Sequence, residues 1–345
     1  MPDSLAKVAQ NGGGRPCPHD EVFAPFLAAT GRRAELVLAT MTDRFSPVEL
    51  LQFVQLLQEM DHPMRETILA GPVFRYLMSH PGGRAFKRVA KGEDAMFYSD
   101  GAPPEGKALL LCFGGLIGRF GVPIPVILQS LDAARFDLAL LRDPKRSRFR
   151  LGAGDFATGF VDLIRNVDRV FTPQRYQRVI SLGNSMGGNP AVQYALLAGA
   201  ERAVAVGARV SSDPLRLLRR QPVPCAFDPV CDCMRHRPMR GLWVYAAENA
   251  EDAEGAATLF ERAGGQRLAL TGFAGHNVVA RFWEADKVDR LLALLLDSDL
   301  PKDRDAKAAI RRMPAPTPRT SRHSLPRRIV SRLRRIVRRL LVKQG

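Results

Sequence analysis

Residues 178–188 read Arg-Val-Ile-Ser-Leu-Gly-Asn-Ser-Met-Gly-Gly, an apolar strand running straight into Gly183-Asn184-Ser185-Met186-Gly187. Residues 191–200, Ala-Val-Gln-Tyr-Ala-Leu-Leu-Ala-Gly-Ala, continue as a helical run. G-x-S-x-G between a strand and a helix is the pattern of a nucleophile elbow. Such a turn forces its serine into a strained backbone position and stands the hydroxyl clear of the sheet. Small residues two before and two after are needed because backbone meets backbone there. The alternative, in a chain with 29 glycines, is a Gly-rich loop holding an ordinary serine; the flanking strand and helix favour the elbow.

Outward from the elbow, strands and helices alternate. Continuous apolar runs at 108–113, 137–141, 178–182, 203–207, 241–247 and 267–273 suit buried parallel strands. Helical stretches are expected near 123–134, 156–170, 187–199, 254–264 and 277–297. This is the signature of an α/β domain, over 92–300, with a mostly parallel sheet covered on both faces. Residues 1–20 are polar and expected to be disordered, and 21–91 to be helical. Within that segment Ser46-Pro47-Val48-Glu49 is a capping box with proline at the first helical position. Leu50, Leu51, Val54, Leu57 and Met60 recur behind it at helical spacing.

A serine needs a base, and the base needs an orienting acid. The expected chain order is Ser, acid, His. His276, in the loop after the last strand, is the candidate base; the alternatives are His236, and for His276 itself a helix-capping role. Asp252 is the chosen acid, with Glu248 and Asp213 as rivals and a helix N-cap as its non-functional reading. The oxyanion formed on attack needs two N–H donors. Met186, following the serine, supplies one, and the loop Phe113-Gly114-Gly115-Leu116 the other, through Phe113 or Gly114. Arg142, just past a strand end, is a candidate to hold a substrate carboxylate or phosphate, or to stiffen its loop by an ion pair.

The Phe-Gly-Gly loop at 113–115, Gly-Asn-Ser-Met-Gly-Gly at 183–188 and Ala-Gly-His-Asn-Val at 274–278 together resemble the α/β-hydrolase superfamily. A narrower resemblance covers about residues 95–295. The stretches at 109–125, 138–144, 181–191 and 204–214 are similar to bacterial hydrolase-like proteins of surface-glycan clusters and accessory secretion. That resemblance implies chemistry on acyl groups carried by carbohydrate, with a small-molecule or glycan ester as substrate. Two readings follow: a serine esterase or acyltransferase, or a non-catalytic relative serving as a binding or assembly partner. The chemistry needs no cofactor.

Net charge sorts the rest of the chain. From Lys302 to Gly345 there are 15 Lys or Arg against Asp303 and Asp305, so the tail carries most of the net +16. Residues 301–324, with Pro301, Pro314, Pro316 and Pro318, read as a linker. In 325–345, Leu325, Ile329, Val330, Leu333, Ile336, Val337, Leu340 and Leu341 form an apolar stripe with seven arginines between them. That is a basic amphipathic helix suited, through 325–342, to an anionic membrane surface. It lacks aromatic residues for base stacking, which argues against nucleic acid. No run is long enough to span a bilayer and no secretory signal is visible, so a cytoplasmic protein, peripheral on the inner face of the membrane, is expected. Cys225, Cys231, Cys233 and His236 have irregular spacing for zinc, and free thiols are the expectation. The sequence names no oligomeric state.

Overall fold

The computed structural model describes residues 31–59, 64–80, 85–209 and 240–296, with Phe23, Phe26, Ala29 and His62. The expected disordered start, the cysteine cluster, His236, Asp213, the linker and the basic amphipathic segment lie outside the described residues.

The strands are β1 (Lys87–Ala90), β2 (Ala95–Ser99), β3 (Ala108–Phe113), β4 (Phe136–Leu141), β5 (Arg178–Asn184), β6 (Arg202–Val206), β7 (Arg240–Ala246) and β8 (Gln266–Leu270). They form one eight-stranded sheet in the order β1-β2-β4-β3-β5-β6-β7-β8. From β4 to β8 every neighbour is parallel, and β2 alone lies antiparallel to both of its partners. The six strands read as apolar runs are the six parallel ones. Every residue of β3 and β4 is buried, as a strand covered on both faces requires.

Helices α1 (Gly31–Arg44), α2 (Pro47–Glu59), α3 (Arg65–Leu69) and α4 (Pro72–Ser79) precede the sheet. Within it come α5 (Ile124–Gln129), α6 (Phe160–Phe171), α7 (Gly188–Ala198), α8 (Ala250–Ala263), α9 (Val278–Glu284) and α10 (Val288–Leu296). Period-two alternation splits each strand between two cores. Leu110, Cys112, Ile180, Leu182, Val204 and Val244 face α5, α9 and α10. Leu109, Leu111 and Phe113 face α6 and α7, and Ala203, Ala205 and Trp243 face α7 and α8.

The early helices bury a core of their own around Phe23, Phe26, Phe53, Phe74 and Leu77. The capping box closes as expected: Ser46 N–H donates to Glu49 Oε2 at 2.7 Å and Glu49 N–H to Ser46 Oγ at 3.3 Å. Glu49 also accepts Arg88 of β1, at 2.9 Å, which fastens this unit to the sheet edge.

Two expectations need correction. The segment 21–91 is not helical to its end, because Lys87–Ala90 pairs with β2 as the sheet's edge strand. The single helix expected over 277–297 is two, since Asp286 adopts a left-handed conformation (φ 58°) that no helix can run through.

Candidate active site

Ser185 follows β5 and opens a single 3-10 turn, Ser185–Gly187, that leads into α7. Its φ is 55°, in the left-handed region that a side chain rarely enters. The glycines explain how the turn closes. A β-carbon on Gly183 would sit 2.1 Å from Gly187 O, and one on Gly187 would sit 2.1 Å from Phe113 O. Both obstacles are backbone and cannot give way, so glycine alone fits.

His276 lies between β8 and α9. Its Nε2 is 2.6 Å from Ser185 Oγ, and its Nδ1 is 2.6 Å from Asp252 Oδ1. Asp252, in the first turn of α8, is fully buried, while the imidazole stays 26 % exposed. Neither residue is a helix cap. Asn249 caps α8, its side chain accepting Asp252 N–H at 3.1 Å, and Asn277 caps α9 by accepting Ala280 N–H at 3.2 Å. The aspartate and the histidine are thereby left to each other.

Glu248 has a different place. Its carboxylate accepts the N–H groups of Gly272 at 2.7 Å and Phe273 at 3.3 Å, the start of the loop that carries His276. Those donors hold its carboxyl below the usual range. Asn249 adds a hydrogen bond to Ala274 O at 3.1 Å. Sequence reasoning missed both supports, and missed Gly207, which follows β6 at φ +56°. A β-carbon there would lie 3.3 Å from Asp252 Oδ2 and 3.4 Å from His276 Cε1. Nothing in a lone glycine announces that neighbourhood.

The loop after β3 departs from expectation. Gly114 N–H donates to Leu141 O at 2.9 Å, because the chain keeps its sheet register one residue past the strand. Phe113 is itself in register with Leu141 on one side and Gly183 on the other. Both N–H groups therefore lie in the plane of the sheet and are not aimed at Ser185. Gly115 N–H closes onto Arg119 O at 2.8 Å, and Gly118 N–H onto Gly115 O at 2.8 Å. Leu116 and Ile117 form the exposed tip of that turn. Met186 stands at the opening of the helical turn, where the first N–H groups lack intrahelical acceptors.

Arg142 sits beneath this loop. A β-carbon on Gly118 would lie 2.6 Å from Arg142 Nε, and the charges acting on the guanidinium are Arg44, Asp94 and Asp43. Burial, and then Arg44, lower its basicity. Its Nη1 is buried without a hydrogen-bond partner among the described residues. Asp43 of α1 forms an ion pair with Arg119, so the early helices hold the far end of the turn. Burial raises the carboxyls of Asp43 and Asp94.

No protein-family profile matches the chain, and no curated protein matches it. Among solved structures, the chain is similar to FphF, a fluorophosphonate-binding serine hydrolase of Staphylococcus aureus, at 12% identity and a TM-score of 0.43 over 61% of this chain and 97% of that one. It is also similar to carboxylesterase CesB (YbfK) of Bacillus subtilis, at 15% identity and 0.41 over 66% and 99%. An esterase of Pyrobaculum calidifontis gives 15% and 0.41 over 70% and 96%. The fold rests on the chain's own geometry rather than on these likenesses. A sheet with one antiparallel member, and a left-handed serine at the turn from β5 into α7, make it an α/β-hydrolase-like fold.

Proposed function

We propose that the protein is a serine hydrolase or acyltransferase that carries an acyl group on Ser185. One observation carries this reading: the unbroken hydrogen-bonded path from Ser185 Oγ through His276 to the buried Asp252, at 2.6 Å per step. In this reading His276 Nε2 takes the hydroxyl proton as Oγ attacks the ester carbonyl, and Asp252 holds the Nδ1–H tautomer and steadies the imidazolium. The tetrahedral oxyanion is met by Met186 N–H and by Leu116 N–H, the next amide along the loop after Gly114 and Gly115. Collapse of the intermediate expels the alcohol, which takes its proton from His276. Water then releases the acid, or a sugar hydroxyl accepts the acyl group; the acyl groups of a carbohydrate are the proposed substrate class. The segment 325–342 would hold this activity at an anionic membrane surface.

Labelling with a fluorophosphonate probe tests the reading. Wild type is expected to label, and Ser185→Ala and His276→Ala to lose it. A folded wild type that stays unlabelled would favour the second reading, a non-catalytic binding partner. The internal closure of the Gly114 and Gly115 N–H groups is the observation on that side.

A further inference from the structure

The turn after β3 is closed by its own backbone but fastened by other parts of the chain. Gly115 N–H donates to Arg119 O, and Gly118 N–H to Gly115 O, each at 2.8 Å. On one side the turn packs against the residue before the serine: a β-carbon on Gly115 would lie 3.1 Å from Asn184 O and 3.3 Å from Asn184 Nδ2. On the other side lies Arg142, whose Nε is 2.6 Å from where a β-carbon on Gly118 would stand. Leu116 follows Gly115, so the way this wedge is held sets the direction of its N–H.

Two side chains from elsewhere hold it. Asp43 forms an ion pair with Arg119, the residue whose carbonyl closes the turn. The two side chains are 19 % and 26 % exposed, so the pair is partly protected from screening. Farther along the loop, Asn277 Nδ2–H donates to Gly121 O at 3.2 Å while its Oδ1 accepts Ala280 N–H at 3.2 Å. Gly121 has φ +79°, and a β-carbon there would lie 2.6 Å from Val279 Cβ, so the loop rests directly on the start of α9. Asn277 is the next residue after His276, and its amide thus joins the loop of the base to the loop after β3.

Asp43 is mounted on the sheet as well as on its helix. It is the last residue but one of α1. The carbonyl of the next residue, Arg44, accepts the hydroxyl of Tyr98 in β2 at 2.6 Å, and Tyr98 is fully buried. Phe45 N–H then donates to Met41 O at 2.8 Å. α1 also packs against α5, the helix that begins where the loop after β3 ends. In the sheet order β2-β4-β3-β5 that mount stands two places from β3 and three from β5.

We infer that Asp43 is a positioning residue: through its pair with Arg119, the early helical unit holds the 115–118 turn, and with it the Leu116 N–H, in place beside Ser185. Held by Asp43 at one end and by Asn277 at the other, the donor is preorganised before any oxyanion forms. The inference rests on the proposed function for the oxyanion; the hold of Asp43 on the turn does not.

Hydrolysis of 4-nitrophenyl butyrate by the full-length protein reads the catalytic part. Asp43→Ala is expected to lower kcat about tenfold, with KM unchanged, in a Leu116→Ala background. In Leu116→Pro, which has no N–H to misplace, the same change should cost less than about twofold. Arg119→Lys, which keeps the charge, should retain more of kcat than Arg119→Ala. A general weakening of the fold would cost the same in both backgrounds; that result, or no loss in either, overturns the inference. Hydrogen exchange reads the turn whether or not the ester is cleaved. Asp43→Ala, or Asp43→Asn should the first variant fail to fold, is expected to exchange faster than wild type over 114–121 and equally over β5. Faster exchange in a protein whose wild type leaves the ester intact supports the hold on the turn without the hydrolase. Unchanged exchange over 114–121 sinks the inference in every case.

Discussion

Serine, histidine and aspartate were recognisable before the fold was known, for unequal reasons. Ser185 is set by covalent geometry: only glycine fits at 183 and 187, so the motif and the turn are nearly one statement. The acid stayed open between Asp252, Glu248 and Asp213. Two acidic residues four apart around one strand end differ only in where the helix begins. Between those two, Asn249 takes the cap, which leaves Asp252 facing His276 and Glu248 to the backbone of the next loop; Asp213 lies outside the described residues. The loop amides expected at Phe113 or Gly114 point elsewhere because an N–H has no sequence signature; its direction depends on where the turn closes. A backbone proposal still has a side-chain test. Leu116 is the second residue of the turn closed by Gly118 N–H on Gly115 O, a position where proline fits. Leu116→Pro removes that N–H and is expected to lower kcat by about 10²–10³ relative to Leu116→Ala, with little change in KM. Equal kcat in the two variants would take Leu116 out of the oxyanion hole.

At the level of elements, the six parallel strands announced themselves as apolar runs; β3, β4 and β6 are buried along their whole length, while β8, at the sheet edge, begins exposed. β1 did not, because an edge strand needs little buried surface and Lys87-Arg88-Val89-Ala90 looks like surface; β2 is buried but only five residues long. The β4–α6 loop was likewise opaque, since its shape is held by Asp143 and not by glycine or proline alone. Burial raises the Asp143 carboxyl above its ordinary value, outweighing the Phe149 N–H and Ser147 donors. The folded protein thus binds that proton more tightly than the unfolded chain. Its contribution to stability is greatest below the ordinary carboxylate pKa and is lost as pH rises through the raised one. Asp143→Asn retains an acceptor for Phe149 N–H and escapes this loss. Melting curves should show the variant gaining on wild type as pH rises from the ordinary carboxylate pKa, about 4, through the raised one. A constant difference across that range would refute the argument.

For the molecule as a whole, the excess positive charge and the candidate site lie in different parts of the chain. Among the described residues no helix is long and apolar enough to cross a membrane; the proposed route to a bilayer is the basic stripe at 325–342. Arginines beside an anionic leaflet contribute about 1 kcal/mol each. Full-length protein should therefore sediment with phosphatidylserine vesicles at low salt and release at high salt, and a chain ending before Pro301 should not sediment. Equal binding by the shorter chain would place the membrane contact elsewhere. The early helices raise a separate question, whether they melt with the sheet or ahead of it. The chain has two tryptophans. Trp243 is buried in β7 with its Nε1–H on Gly264 O at 2.7 Å, while Trp283 packs against both the sheet core and the core of the early helices. Emission from a Trp283→Phe protein reports the sheet alone, and emission from Trp243→Phe reports the seam. If the helical unit parts first, the Trp243→Phe protein should shift to the red at a lower denaturant concentration than its counterpart. Coincident transitions would mean that the chain unfolds as one body, and the two indoles, each read in the absence of the other, make that distinction visible in emission alone.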